Sequence, residues 1–177
     1  MKCYKCDKPA VIALQHGALC KTHFLNYFEE KVFKTINRFN LIGREERICV
    51  ACSGGKDSQT VLHLTKKYLE NNHIPTKYLW VLAIDEGIKN YRNHTLVDLK
   101  KFCKQEKVEL KIVSAKKEFG YTLDEAIAKA KKRKIDLKPC HICGVWRRYL
   151  LNKYSRKYGA HKIITGHNLD DEAQAVT

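Results

Sequence analysis

The sequence contains no apolar run approaching the roughly 20 residues that a membrane-spanning helix requires. Its start, Met1-Lys2-Cys3-Tyr4-Lys5-Cys6, lacks the apolar stretch of a secretory signal. These absences argue against a membrane or secreted protein and set a cytoplasmic expectation with no membrane partner. Internal repeats and low-complexity tracts are also missing, which excludes a repeat architecture. Acidic residues are the scarce charge: 19 Asp and Glu stand against 34 Lys and Arg, a formal net charge of +15 with a pI near 9.5. An excess of that size points to a polyanionic partner, and nucleic acid is the first candidate. In a reducing compartment the eight cysteines argue for metal or redox chemistry rather than a disulfide framework.

The 177 residues suffice for one α/β domain with a core and a small appendage. Residues 1–23 hold four potential metal ligands and little apolar periodicity, as a metal-stapled module would. Phe24, Leu25, Phe28, Val32, Ile36 and Phe39 recur at helical spacing, so residues 24–43 read as a linking helix. The rest, 44–177, forms the main domain. Its strand candidates are residues 48–52, 78–84, 108–113 and 161–165. Helices are expected around 61–69 and 93–106, from the Thr122/Glu125 capping box to Arg133, from near Gly144 to Tyr158, and after Asn168. This alternation predicts a parallel, Rossmann-like sheet with helices on both faces. The chain stops at Ala175-Val176-Thr177 without a closing turn, as a fragment truncated at its C-terminus would.

Ser53-Gly54-Gly55-Lys56-Asp57-Ser58 follows the first apolar strand of that domain directly. A glycine pair there lets the backbone turn sharply and bring its N–H groups to an anion, and the next helix adds its positive end. Ser53 and Ser58 offer hydroxyls and Lys56 a charge. The Walker A spacing is absent, because Val50 stands where its first glycine would be and Asp57 where its Ser or Thr would be. The bland alternative is a glycine-rich turn with a chance lysine.

Two cysteine constellations stand apart from this loop. Cys3, Cys6, Cys20 and His23 read C-x2-C-x13-C-x2-H, a spacing suited to a closed, structural tetrahedral zinc site. Reduced cysteines with a surface histidine are the alternative. Cys140 and Cys143 follow Pro139 and open a helix, where the helix end and Arg147 and Arg148 should lower a thiol pKa. That pair could bind soft metal, exchange sulfur or form a disulfide. Cys49 and Cys52 read as buried strand thiols, and Cys103 as core.

The Ser53–Ser58 hexapeptide resembles the signature of the PP-loop ATP pyrophosphatases. The resemblance implies that the loop holds the leaving pyrophosphate of ATP, that Asp57 helps bind the nucleotide, and that Ala51, Ala83 and Gly166 lie beside it. The resemblance grows closer with the zinc-type module, Ile84-Asp85-Glu86-Gly87-Ile88, Cys140/Cys143 followed by Gly144-Val145, and Gly166-His167-Asn168-Leu169-Asp170-Asp171. Together they resemble the tRNA 2-thiouridine synthetases of the TtuA type and the eukaryotic wobble-uridine thiolases, over essentially the whole chain. The tRNA 2-thiocytidine branch shares the loop and the cysteine pair.

This resemblance implies a 4Fe–4S cluster on Cys140 and Cys143, with a third cysteine expected beyond residue 177. It implies adenylation of a uridine O2 with Mg2+ on the phosphates, then sulfur transfer to C2. Arg147 would sit beside the nucleotide where relatives often carry lysine, and Asp171 would activate substrate or position metal. The alternative for Asp171 is a helix-start carboxylate that complements the dipole. A ubiquitin-like sulfur carrier or another sulfide donor is the implied source of sulfur. A second copy of the chain, as a homodimer, is a further candidate partner. The basic residues Lys129, Lys131, Lys132, Arg133, Lys134 and Lys138, with Arg147, Arg148, Lys153, Arg156 and Lys157, are candidate tRNA-backbone contacts. The sheet should have five strands, the last beyond Thr177. Two rival readings are an adenylating enzyme with a persulfide or disulfide pair and no iron, and a zinc-stabilised tRNA-binding module without turnover.

Overall fold

The computed structural model describes residues 1–136 and 138–176. Thr177 lies outside them. The chain divides into two compact units, Met1–Gly43 and Arg44–Thr177.

The first unit contains an antiparallel hairpin, β1 (Ile12–Leu14) and β2 (Gly17–Leu19), followed by helix α1 (Lys21–Arg38). Strands of three residues are too short to show alternation, so the hairpin was not expected from the pattern. Gly17 makes it feasible, with φ of +128° and the Tyr4 ring against the place a Cβ would occupy. Leu19, Cys3 and Cys20 are buried together, with Ile12, Leu14 and Phe24 packed around them. So small a core suits a unit held by a metal rather than by apolar burial alone.

The second unit runs β3 (Ile48–Ala51), α2 (Lys56–Asn71), β4 (Leu79–Asp85), α3 (Arg92–Glu106), β5 (Glu109–Ser114), α4 (Ala115–Phe119), α5 (Leu123–Lys132), α6 (Pro139–Lys157), β6 (Lys162–Thr165) and α7 (Leu169–Val176). The four strands pair in parallel in the order β5-β4-β3-β6, as the alternation predicted. Burial on both faces explains why β4 is a continuous apolar run rather than an alternating one. Its Trp80, Leu82 and Ile84 face Leu150, Trp146 and Leu151 of α6.

The order β5-β4-β3 extends one way from β3, and β6 lies on its other side. The direction of winding therefore reverses at β3, and the crevice beyond its carboxyl end is where an open α/β sheet binds ligands.

Helix boundaries differ from expectation in ways that matter for the site. Helix α2 begins at Lys56, inside the glycine-rich hexapeptide, because its first turn is polar and carries no apolar period. Helix α6 begins at Pro139 rather than near Gly144, so Cys140 and Cys143 both lie in its first turns. Proline is well suited to a first helical position. The Thr122/Glu125 capping box is formed as expected, with Glu125 N donating to Thr122 Oγ1 at 3.2 Å and Thr122 N to Glu125 Oε2 at 2.8 Å. No helix among the described residues is long and apolar enough to cross a membrane.

Candidate functional site

The sheet's last ladder bond between β3 and β4 has Cys52 N donating to Leu82 O at 3.0 Å. Beyond it the chain turns at Gly54, whose φ is +93° and whose absent Cβ would meet Thr95 O at 2.7 Å. Both constraints exclude a side chain there. Gly55 then caps α2 with no side chain satisfying the helix's first N–H groups. Ser58 Oγ donates to Gly55 O at 2.9 Å and Gln59 Nε2 to Gly54 O at 3.0 Å, which holds the loop's carbonyls on the helix side. An uncapped helix start with the chain folded over it is a site for an anion.

An open cleft of about 210 Å³ lies at this end of the sheet. Ala51, Ser53, Gly55, Asp57 and Ser58 form one wall, and Arg147, Thr165, Gly166 and His167 contribute from α6 and β6. Gly54 and Lys56 belong to the loop but lie off the wall. Ala83 does not line the cleft: it is fully buried in β4, and its neighbours Leu82 and Ile84 reach the cavity. Strand alternation is the reason, since i and i+2 share a face.

Two cleft residues had no expected role. Glu86 is 0% and Arg92 2% exposed, and both line the cavity. Arg92 Nη1 donates to Ser53 O and Nη2 to Ile84 O. Its Nε lies 3.1 Å from Glu86 Oε2 as an ion pair. The angle does not make a hydrogen bond, and each of these two atoms lacks a hydrogen-bond partner. Arg147 Nε donates to the other oxygen, Glu86 Oε1. Burial pulls the Arg92 guanidinium below its ordinary range against the attraction of Glu86. For Arg147 burial acts the same way, but the Glu86 carboxylate outweighs it and the net shift is upward. The signal for Glu86 was available, since it continues the Leu82–Ile84 row. Arg92 begins the buried stripe Arg92, Leu96, Leu99 and Cys103 of α3, but an arginine on such a stripe reads as solvent-facing.

Cys140 is exposed and Cys143 half-buried on the first turns of α6, three residues apart and so on neighbouring positions of one face. The expected fall in thiol pKa does not occur at Cys143. Burial pushes it up, against the pull of Arg147. Cys49 and Cys52 are buried and pushed up to about 12, and Cys103 to about 11, by the same cause. They are inert neutral thiols, as their positions suggested. Asp171 is absent from the cleft wall. Its Oδ2 accepts from Asn168 N at 2.9 Å, and Asn168 Oδ1 accepts from Asp171 N at 3.0 Å, a reciprocal cap on α7.

In the first unit, the ligand atoms of Cys3, Cys6, Cys20 and His23 lie within 4.8 Å of one another. His23 Nδ1 is 3.3 Å from Cys3 Sγ and 3.5 Å from each of the other two sulfurs, and Cys6 and Cys20 sulfurs are 3.8 Å apart. A tetrahedral ion with metal–sulfur bonds of about 2.3 Å requires S···S edges of roughly 3.8 Å. The donor set therefore fits zinc in both chemistry and spacing.

Of the basic residues, Lys129, Lys131 to Lys134, and Lys138 are exposed in and after α5, and Arg148, Lys153, Arg156 and Lys157 are exposed on α6. Arg147 leaves this row for the cleft. Exposed tyrosines interleave it, with Lys129 Nζ 3.5 Å above the Tyr121 ring. Lys153 is tied to Glu118.

A family profile described as PP-loop domain matches residues 25–177. The tRNA-5-methyluridine(54) 2-sulfurtransferase of Pyrococcus horikoshii is 40% identical over 98% of this chain and 52% of its own length. The cytoplasmic tRNA 2-thiolation protein 1 of Aspergillus niger is 39% identical over 98% of this chain and 50% of its own. Among solved structures, the U34-tRNA thiolase NcsA of Methanococcus maripaludis, determined with its 4Fe–4S cluster, superposes with a TM-score of 0.81. It is 36% identical, over 99% of this chain and 56% of that one. The chain thus spans about half the length of the curated relatives it matches.

Proposed function

The chain belongs to the PP-loop domain family, and from that membership we propose that it carries the ATP-activating site of a cytoplasmic tRNA uridine 2-sulfurtransferase. The observation that carries the proposal is the meeting of the loop and Arg147 at one cleft, with the cysteine pair on the helix that supplies Arg147. The uncapped loop Ser53–Ser58 forms its wall, Arg147 enters it from α6, and the same helix carries Cys143 about one turn and Cys140 about two turns earlier.

ATP would lie across the carboxyl ends of β3, β4 and β6, its adenosine against Ala51 and Gly166 and the apolar Leu82 and Ile84. The loop N–H groups and the α2 terminus would hold the pyrophosphate moiety, with Lys56, Asp57 and the Ser53 and Ser58 hydroxyls around it. Mg2+ would offset phosphate charge. The O2 atom of a tRNA uridine would attack the α-phosphorus and break its bond to the bridging oxygen, so pyrophosphate leaves into the loop. Arg147, charged and partly exposed at the cleft edge, would stabilise the charge that builds on the phosphoryl oxygens. Sulfide would then add to C2, and AMP would depart carrying the former O2. Asp171, at the start of α7, is the carboxylate assigned to substrate activation or metal positioning.

Cys140 and Cys143 fit a soft iron centre, being two thiols on adjacent turns of one helix with one of them exposed. They would supply two of the three ligands of a 4Fe–4S cluster, whose chemistry is the provision of sulfur. The zinc set Cys3, Cys6, Cys20 and His23 would be structural. Exposed basic residues of α5 and α6 would take the tRNA backbone. A ubiquitin-like carrier, or another sulfide donor, would deliver sulfur, and a homodimer is a further candidate assembly.

The test is nucleoside analysis of tRNA incubated anaerobically with this chain, ATP, Mg2+ and sulfide after iron–sulfur reconstitution. The expected product is 2-thiouridine, lost on Cys140→Ser or Cys143→Ser. Thiolation that survives without iron would favour a persulfide pair. Adenylation and thiolation both absent, with tRNA still bound, would favour the non-catalytic binding module.

A further inference from the structure

We propose that Arg92 is a positioning residue for the phosphate loop, a peg that sets the direction of the loop's N–H groups. The inference rests on the reading of residues 53–58 as a pyrophosphate loop. Strands β3 and β4 stay hydrogen-bonded as far as Cys52 N to Leu82 O, and then they diverge. Arg92 fills the fork. One terminal nitrogen donates to Ser53 O on the β3 side and the other to Ile84 O on the β4 side. A planar guanidinium is suited to such a span, because its donors leave in fixed directions.

The distribution of its bonds argues for positioning rather than for simple charge pairing. Arg92 faces Glu86 at 3.1 Å, yet Nε and Oε2 make no directed hydrogen bond. The carboxylate supplies charge, while the directed bonds go to two backbone carbonyls. Ser53 O belongs to the same trans peptide unit as Gly54 N–H, and those groups point in opposite directions. Holding the carbonyl therefore aims the amide. The adjoining residue is fixed by the same helix turn, because Thr95 O lies where a Gly54 side chain would be. Thr95 Oγ1 is also within 3.4 Å of Arg92 Nη1. The first turn of α3 thus acts as a mould for the loop. Glu86 links that mould to Arg147 on the cysteine-bearing helix.

The experiment compares the full chain with Arg92→Lys and with the double variant Arg92→Gln/Glu86→Gln, which removes both buried charges together and guards against misfolding. Two ligands are titrated calorimetrically with Mg2+ present: inorganic pyrophosphate, which probes the loop, and AMP, which probes the rest of the cleft. Amide hydrogen exchange at Gly54 and Gly55 is measured without ligand. Expected is about a ten- to hundredfold loss of pyrophosphate affinity in both variants and faster exchange at both glycines, with AMP affinity nearly unchanged in Arg92→Lys, which keeps the Glu86–Arg147 pair. Equal losses for pyrophosphate and AMP in Arg92→Lys would mean a general structural role and overturn the proposal. Unchanged exchange and unchanged pyrophosphate affinity would also overturn it. Should the unaltered chain not bind pyrophosphate, the loop reading fails. The exchange rates then decide Arg92's role alone, unchanged rates refuting it and faster rates supporting it.

Discussion

Gly166, at the carboxyl end of β6, lies against the backbone of Ser58 so closely that a Cβ on it would be 2.8 Å from Ser58 N. The obstacle is main chain at the start of α2 and not the tip of a flexible side chain. Gly166→Ala should therefore displace the loop or β6. Overpacking of this kind costs about 1–3 kcal/mol of stability. We expect a fall of that size in urea denaturation, together with a weakened Kd for ATP. An alanine variant that binds ATP like the original would show that the two segments separate freely.

Glu86 is buried between two guanidinium groups. Glu86→Ala leaves the buried Arg92 without a counter-charge, a change that costs about 3–5 kcal/mol when a buried pair is broken. Glu86→Gln keeps the shape and should cost less. Denaturation of both variants checks this order, and a reversal would mean that the carboxylate is not balancing Arg92.

The first unit should fold only with its metal. Zinc analysis is expected to give one ion per chain, and chelation should unfold residues of the Met1–Gly43 unit while leaving the circular dichroism of the second unit intact. Cys20→Ser should act like the chelator. A unit that retains protected amides after complete metal removal would contradict the structural-zinc reading.

Glu106 joins α3 to α2, accepting from His63 Nδ1 at 2.9 Å and Lys66 Nζ at 3.2 Å. Burial works against its charge, but these two partners outweigh it and hold the carboxyl below its ordinary value. A depressed folded pKa contributes stability that is present above the unfolded value, about 4.3, and is lost as pH falls through the folded one. Stability should decline on acidification below that point, and Glu106→Gln should flatten the decline. An identical acid limb in the variant would rule the pair out as a contributor.

Much of this architecture was legible because local signals and fold agree. The runs ending at Cys52, Ile84, Val113 and Thr165 are apolar and bounded by loops, so each strand was found within about two residues. Cys3, Cys6, Cys20 and His23 were legible because tetrahedral coordination demands close pairs. What escaped depends on three-dimensional context. Glu86 continues the Leu82–Ile84 row and Arg92 begins the α3 stripe. A charged residue at such a place reads as buried only when its partner is known, and the pairing joins two separate elements. The family resemblance puts Ala83 at the nucleotide, but alternation on β4 turns Leu82 and Ile84 to the cleft and buries Ala83. A helix end and nearby arginines predict a lowered pKa for the Cys143 thiol, but burial dominates and pushes it up. Asp171 shares a cap with Asn168, in keeping with the helix-start role that is its alternative reading.

The central claim is that the Ser53–Ser58 loop takes pyrophosphate from ATP while AMP is transferred to tRNA. It is tested most directly by identifying the products formed from ATP labelled at the α-phosphate and, in a parallel reaction, at the γ-phosphate, with sulfide present and with or without tRNA. The account predicts AMP and pyrophosphate in equal amounts, dependent on tRNA and greatly reduced in Asp57→Ala. Formation of ADP and inorganic phosphate would contradict it.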